Sequence, residues 1–276
     1  TGGGGNAFGT AEFTSILEDS GAGAGDAVST FLDAAAAADV ELGNGNQGGT
    51  ITGSFATGVA ITFADNTNGT WQFTTDGFST PTTLNPAVNE STSVLLDGAN
   101  ADHKVRFVPN ANFNGTATIK YRAWDGSDGS AVRDTVNTSS NGGITPFSAG
   151  LVTKGITVRA VNDAPTLAID ASNAGLTVDE DPVGAQSVAS FITTATKGGG
   201  SDENSQTLSF ALTNNNTSLF SAQPNIAANG TTLTFTPAPN KFGIATVTAE
   251  LNDGGGETDG GIESDTKTFT ITVDPI

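Results

Sequence analysis

Gly155-Ile156-Thr157-Val158-Arg159 runs straight into Ala160-Val161-Asn162-Asp163-Ala164-Pro165-Thr166, and the contrast between these two stretches decides how the chain is read. The first alternates apolar and polar residues with period two, the pattern of a strand with one buried face. The second is short, stiff and rich in oxygen. Asn162 and Asp163 carry side-chain oxygens, and Pro165 has a fixed φ and holds Ala164 extended. No hydrophobic residue between Val161 and Leu167 is large enough to found a core. Together they read as the closing strand of one unit and the joint to the next.

The residues after the joint repeat those before it. Val178-Asp179-Glu180-Asp181 with Val188-Ala189-Ser190-Phe191-Ile192 answers Leu17-Glu18-Asp19 with Val28-Ser29-Thr30-Phe31-Leu32. Phe235-Thr236-Pro237 and then Phe242-Gly243-Ile244-Ala245 answer Phe107-Val108-Pro109 and then Phe113-Asn114-Gly115-Thr116-Ala117. Asp253-Gly254 answers Asp125-Gly126, and Phe269 to Pro275 answers the closing strand. The copies differ in their loops: 31 positions separate Asp125 from Ile156, against 18 from Asp253 to Ile271, so the first copy carries an insertion there and another around Trp71. Insertions of this kind go into surface loops and leave a core unchanged. The expectation is an all-β chain of two tandem β-sandwich domains arranged end to end, residues 1–162 and 163–276.

Within the first copy, Phe13 to Leu17 and Val28 to Leu32 read as strands, and the Ala34 to Ala38 run as at most a turn or two of helix. Ile51, Gly53 and Phe55 share one face of a further segment, and Val59, Ile61 and Phe63 recur after a turn. Trp71 to Thr74, Val94 to Leu96 and Val105 to Val108 are strands. In Thr116 to Trp124, Ala117, Ile119, Tyr121 and Ala123 face inward, with Thr118, Lys120 and Arg122 outward. The polar, glycine-rich residues 126–150 read as a long loop or marginal hairpin.

Composition narrows the function. Ten Lys and Arg against 29 Asp and Glu give a net charge of −19, which excludes nucleic acid as a partner, because phosphate binding needs a basic surface. There is no cysteine, so neither disulfides nor thiolate metal sites hold the chain together. No apolar run reaches the ~20 residues that span a bilayer, no signal peptide is visible, and the absence of Met suggests a piece of a longer or processed chain. The opening Thr1 to Asn6 reads as a flexible lead-in. His103 is the one histidine and sits in a polar lead-in to a strand, a poor base for a serine-type triad. The chain is therefore expected not to be an enzyme. Trp71, Trp124 and Tyr121 read as core packing, and the Asn-Gly-Thr triplets at Asn68, Asn114 and Asn229 as turns.

Val161 to Pro165, Phe107 to Ala117, Trp71 to Gly77 and Arg122-Ala123-Trp124-Asp125-Gly126, in this order and spacing, resemble the cadherin-like tandem repeats of large bacterial surface proteins, including the RTX-type adhesins secreted by type I systems. That resemblance covers nearly the whole chain. It implies Ig-like, cadherin-like β-sandwiches strung into a rod with Ca²⁺ at the junctions, an extracellular location, and a role as a calcium-stiffened extender or adhesion repeat that holds a distal adhesive region away from the cell. Ala164 stands where the family's linker has a second oxygen-bearing residue, and the Asp-x-Asp equivalent reads Asp202-Glu203-Asn204, so one or two ions per junction are expected. The expected ligands at the central junction are Glu18, Asn162, Asp163, Asp202, Asn204 and Asp253. Asp39, Glu41 and Asp125 would face an upstream neighbour, and Glu180 and Asp274 a downstream one. The implied partners are neighbouring repeats of the same chain, with a polysaccharide or another surface protein as alternatives if the fragment is itself a binding module or a filament subunit. Insertion of this fragment into a membrane is not expected.

Overall fold

The computed structural model describes residues 12–32, 58–85, 87–182 and 184–276. The Ala34 to Ala38 run, Ile51, Gly53 and Phe55, and the expected ligands Asp39 and Glu41 lie outside the described residues. The chain divides into two compact units, Thr1–Ala160 and Val161–Ile276. Asn162 thus belongs with the second unit and does not close the first.

Among the described residues the first unit has strands β1 (Ile16–Leu17), β2 (Asp26–Ala27), β3 (Gly58–Ala64), β4 (Gly69–Thr74), β5 (Thr82–Thr83), β6 (Ser93–Asp97), β7 (Lys104–Pro109), β8 (Gly115–Trp124), β9 (Thr135–Val136) and β10 (Val152–Arg159). They form two sheets, β1-β10-β8-β3-β6-β9 and β2-β7-β4-β5. The core is the layer between them. Ile61, Ile119, Tyr121 and Ile156 enter it from the first sheet, and Trp71, Phe73, Val105 and Phe107 from the second, none more than 5% exposed. Alternation puts them there, since successive side chains of a strand point to opposite faces.

The second unit has β11 (Thr166–Ile169), β12 (Gly175–Asp179), β13 (Gln186–Val188), β14 (Ile192–Thr196), β15 (Ser209–Asn214), β16 (Phe220–Ile226), β17 (Leu233–Pro237), β18 (Gly243–Asn252) and β19 (Ser264–Asp274). Its sheets are β12-β19-β18-β15, β13-β17-β16 and the pair β11-β14. Val247, Leu251 and Ile271 pack against Leu233 and Phe235 to make a second separate core. The first strand changes sheet: β11 runs antiparallel to β14, the chain turns at Ala171–Asn173, and β12 then lies parallel to β19. The fold is all-β, two β-sandwiches in one chain.

Shared backbone geometry shows how deep the repeat goes. Asp19 and Asp181 have φ of 56° and 54°, and Asn112 and Asn240 58° and 54°, in the left-handed region that Asp and Asn tolerate better than other side chains. In both copies the Asp side chain accepts the Asn backbone N–H, at 3.0 Å across 93 residues in the first unit and 2.9 Å across 59 in the second. Each clamp ties the end of the first strand to the turn that opens the long central strand. The extra residues in the first unit therefore lie between shared geometric points and do not disturb them.

Two readings change. Val28 to Leu32 is not a strand: Val28–Phe31 is one helical turn, whose i and i+3 side chains, Val28 and Phe31, are both fully buried. Phe31 packs on Phe13 at 4.6 Å and edge-on to Tyr121 at 5.9 Å. The matching Val188 to Ile192 is likewise a corner, with Ser190 at φ 54° and Phe191 fully buried between β13 and β14. Arg122, expected to face outward, is 6% exposed, because the insertion at 126–150 folds over it. Its guanidinium donates to the carbonyls of Ser148 at 3.0 Å and Ala149 at 2.7 Å, and to Glu90. Trp71, Tyr121 and Trp124 are core side chains.

Two of these local interactions can be tested directly. The Tyr121 hydroxyl donates to the Phe31 carbonyl at 2.8 Å inside the first core. Tyr121→Phe leaves that carbonyl without the hydroxyl donor and should cost about 1–2 kcal/mol in denaturant unfolding, with the native near-UV spectrum retained. The Asp76 carboxylate accepts from the Thr74 hydroxyl, then the Thr80 hydroxyl and backbone, which lowers its pKa from 3.8 to about 2. A depressed pKa means stability that is present above pH 3.8 and lost as pH falls toward 2. Asp76→Ala should therefore melt below the parent at pH 7, and the gap should close across that acid window.

Candidate metal centre

The expected ligands that the structure brings together belong to the second unit. Strand β18 ends at Asn252, so Asp253 is the first residue to leave the sheet, and it is fully buried. Asp253 Oδ1 accepts the Gly255 backbone N–H at 2.9 Å and the Asn162 amide at 3.3 Å. The same Asn162 amide donates to the Ile262 carbonyl at 2.8 Å, and Asn162 Oδ1 accepts from Gln206 Nε2 at 2.6 Å. Gly255 is required by this close approach, since any Cβ there would collide with the Asn162 side chain. The joint residues are thus stitched to the end of the central strand.

The other wall is the 3-10 turn Asp202–Ser205. The sequence pattern points to Asp202 and Asn204 as ligands; the structure turns Glu203 inward instead. Glu203 is 3% exposed, and its Oε1 accepts the Asp163 backbone N–H at 3.3 Å. Asp202 is half-buried, while Asn204 is exposed and uses its backbone carbonyl to accept from Lys197 Nζ at 2.8 Å. Gln206 is the extended residue that follows the turn, and its backbone N–H donates to the Glu203 carbonyl at 3.1 Å. The reading of Asp202-Glu203-Asn204 as an Asp-x-Asp equivalent passes over Glu203 and Gln206.

Three buried oxygens here have no hydrogen-bond partner: Glu203 Oε2, Gln206 Oε1 and Asp253 Oδ2. All three are acceptors, and two belong to carboxylates. Burial pushes the Glu203 carboxyl above the usual carboxylate range; the Asp163 N–H and the Gln206 side chain oppose this, while the nearby charges of Asp202 and Asp253 add to it. Among the described residues no group of three or more His, Cys, Asp or Glu side chains gathers into a metal site, so this cluster is a mixed one of two carboxylates and amide oxygens. An all-oxygen donor set suits a hard cation such as Ca²⁺ better than zinc or copper, which favour imidazole and thiolate.

Each remaining expected ligand has partners within its own unit. Glu18, 3% exposed in the first unit, accepts from the Asn114 side-chain amide at 3.1 Å, and its backbone N–H donates to the Arg159 carbonyl. Asp125 repeats the Asp253 turn, accepting the Ser127 N–H at 2.8 Å. Glu180 and Asp274 are neighbours, since the Glu180 N–H donates to the Asp274 carbonyl at 2.8 Å, and Glu180 Oε1 accepts the Ile276 N–H at 3.1 Å. His103 Nδ1 lies 3.2 Å from the Asp97 carbonyl.

No protein-family model and no curated protein matches the chain. Among solved structures, human mucin-like protocadherin EC1-2 is similar at 15% identity over 63% of this chain and 76% of that one, with a TM-score of 0.33. The human desmocollin-1 ectodomain is similar at 15% over 83% of this chain and 37% of its own length, at 0.29. An endo-fucoidan hydrolase of glycoside hydrolase family 107 is similar at 16% over 64% of this chain and 21% of its own length, at 0.25. The two-sandwich architecture rests on the strand pairing and the two cores, not on these likenesses.

An unpaired buried carboxylate costs stability when nothing positive neutralises it. Glu203→Gln should therefore raise the melting temperature of the chain in chelator at pH 7. A lower melting temperature would show that the Glu203 charge is already compensated.

Proposed function

We propose that this chain is a pair of calcium-dependent repeats from a large extracellular bacterial surface or secreted protein, an extender that holds a distal adhesive region away from the cell. The observation that carries this reading is the set of partnerless buried oxygens on Glu203, Gln206 and Asp253, laced to Asn162 and Asp163 of the joint. Ca²⁺ takes six to eight oxygens at roughly 2.3–2.6 Å, and a site of this kind is completed by waters and neighbouring carbonyls. Glu203, Asp253 and Gln206 would hold the ion, which would supply the positive charge that two buried carboxylates lack.

The rest of the chain agrees with that role. Two sandwiches of one design succeed each other in a single sequence, as in a repeat array. No cysteine is present to staple them, and the net charge of −19 makes bound cations stabilising. Among the described residues no helix is long and apolar enough to cross a membrane. In this reading the ion stiffens the chain at the joint, and chelation lets it hinge.

Calorimetric titration of the full chain with Ca²⁺ should give saturable heat, and millimolar Ca²⁺ should raise the melting temperature over chelator. A ligand at a hundredfold excess over Kd adds about 2.7 kcal/mol. Asp253→Asn and Glu203→Gln should each abolish most of that rise. No heat and no shift in the parent protein would overturn the calcium assignment. X-ray scattering gives the stiffening its own test: equal maximum dimension and flexibility in Ca²⁺ and in chelator would refute it.

A further inference from the structure

The two units differ at one sheet edge. Strand β3 pairs with β8 in the first unit as β15 pairs with β18 in the second. Gly58, Val59, Ala60 and Ile61 lie opposite Trp124, Ala123, Arg122 and Tyr121; Ser209, Phe210, Ala211 and Leu212 lie opposite Asn252, Leu251, Glu250 and Ala249, the same four positions of the repeat. In the first unit β3 has a second neighbour, β6, which runs antiparallel along its outer edge and sets Leu96 against Val59 and Val94 against Ile61. In the second unit β15 ends its sheet, and among the described residues no strand pairs with its outer edge.

Burial records the consequence. Val59, Ala60 and Ile61 are fully buried, whereas Phe210 and Leu212 are half-buried and Ala211 is exposed. A groove of about 550 Å³ runs beside the start of β15, lined by Leu208, Phe210, Ala195 and Ile226 and by the turn at residues 227–231. Natural edge strands are blunted by lysine, proline or bulges. Strand β16, the edge of the neighbouring sheet, has Pro224 and two register shifts. Ser209–Asn214 is regular and has neither proline nor charge.

We infer that β15 accepts an extended segment of a partner polypeptide as an added antiparallel strand, in the place that β6 fills in the first unit. The occupant is defined by β6 itself, Ser93-Val94-Leu95-Leu96-Asp97: an uncharged centre whose alternate apolar residues complete the face above Phe210 and Leu212. Strand addition of this type draws affinity from main-chain hydrogen bonds and specificity from the alternate side chains. The bonds are available. The Asn215 N–H donates to the Thr246 carbonyl, so by the alternation of an antiparallel ladder the N–H and C=O groups of Phe210 and Leu212 point away from β18. This site does not depend on a bound cation.

The test uses the full chain and a synthetic peptide copying Ser91 to Ala99, with hydrogen exchange read at single amides. The Phe210 and Leu212 amides should exchange fast in the free protein and slow roughly tenfold or more with peptide. A peptide N-methylated at the residues copying Val94 and Leu96 should give no slowing, because it keeps the side chains and loses the donors. Ala211→Lys should weaken the effect with the melting temperature unchanged. No slowing at millimolar peptide, or equal slowing by the methylated peptide, would overturn the inference. Slowing in concentrated protein alone, with a dimer mass in sedimentation, would assign the edge to a second copy and overturn the partner strand.

Discussion

In each unit one antiparallel pair of long strands fixes the rest: β8 with β10 in the first, β18 with β19 in the second. Ten successive residues of β18 are matched to β19, and every second one points into the core. A one-residue slip would turn Val247, Ala249 and Leu251 out to solvent. The register is therefore held by burial, and whatever sits at the strand ends is placed with the same accuracy. Asp253 and Asp125 occupy such ends.

The strand end puts Asp253 into the protein interior and the 3-10 turn puts Glu203 there, and among the described residues no cationic side chain pairs with either. The Asn162 amide and the Gly255 N–H satisfy Asp253 Oδ1, the Asp163 N–H satisfies Glu203 Oε1, and Asp253 Oδ2 and Glu203 Oε2 are left bare. Low local polarity makes a bare carboxylate oxygen expensive and makes a cation beside it strongly favoured. The charge distribution and the proposed calcium dependence are thus two aspects of one desolvation problem. At Glu203, burial raises the carboxyl pKa for the same reason.

The insertions of the first unit do more than lengthen loops. They supply β6 and β9, extend the sheet from four strands to six, and cover Ala60, Leu95 and Trp124 with Phe147 to make a small separate cluster. Arg122 is buried by the same cover and is held by three acceptors. Among the described residues the second unit has no such cover, so one repeat is closed at an edge where the other is open. The two copies share a scaffold and differ in what they present to other molecules.

Sequence alone determined the all-β class, the repeat, the inward face of β8, and the oxygen-rich character of the joint, because alternation and turn chemistry are local and repeat at fixed spacing. It did not determine the corner at Val28 to Leu32, where apolar residues three apart serve a helical turn and a strand almost equally well. Nor did it find Glu203 and Gln206, since which side of a short turn faces inward depends on the 3-10 geometry and on the wall it packs against. The open edge of β15 was equally hidden. An edge is defined by which strand does not arrive, and that depends on contacts between residues far apart in the chain, which only the tertiary structure decides.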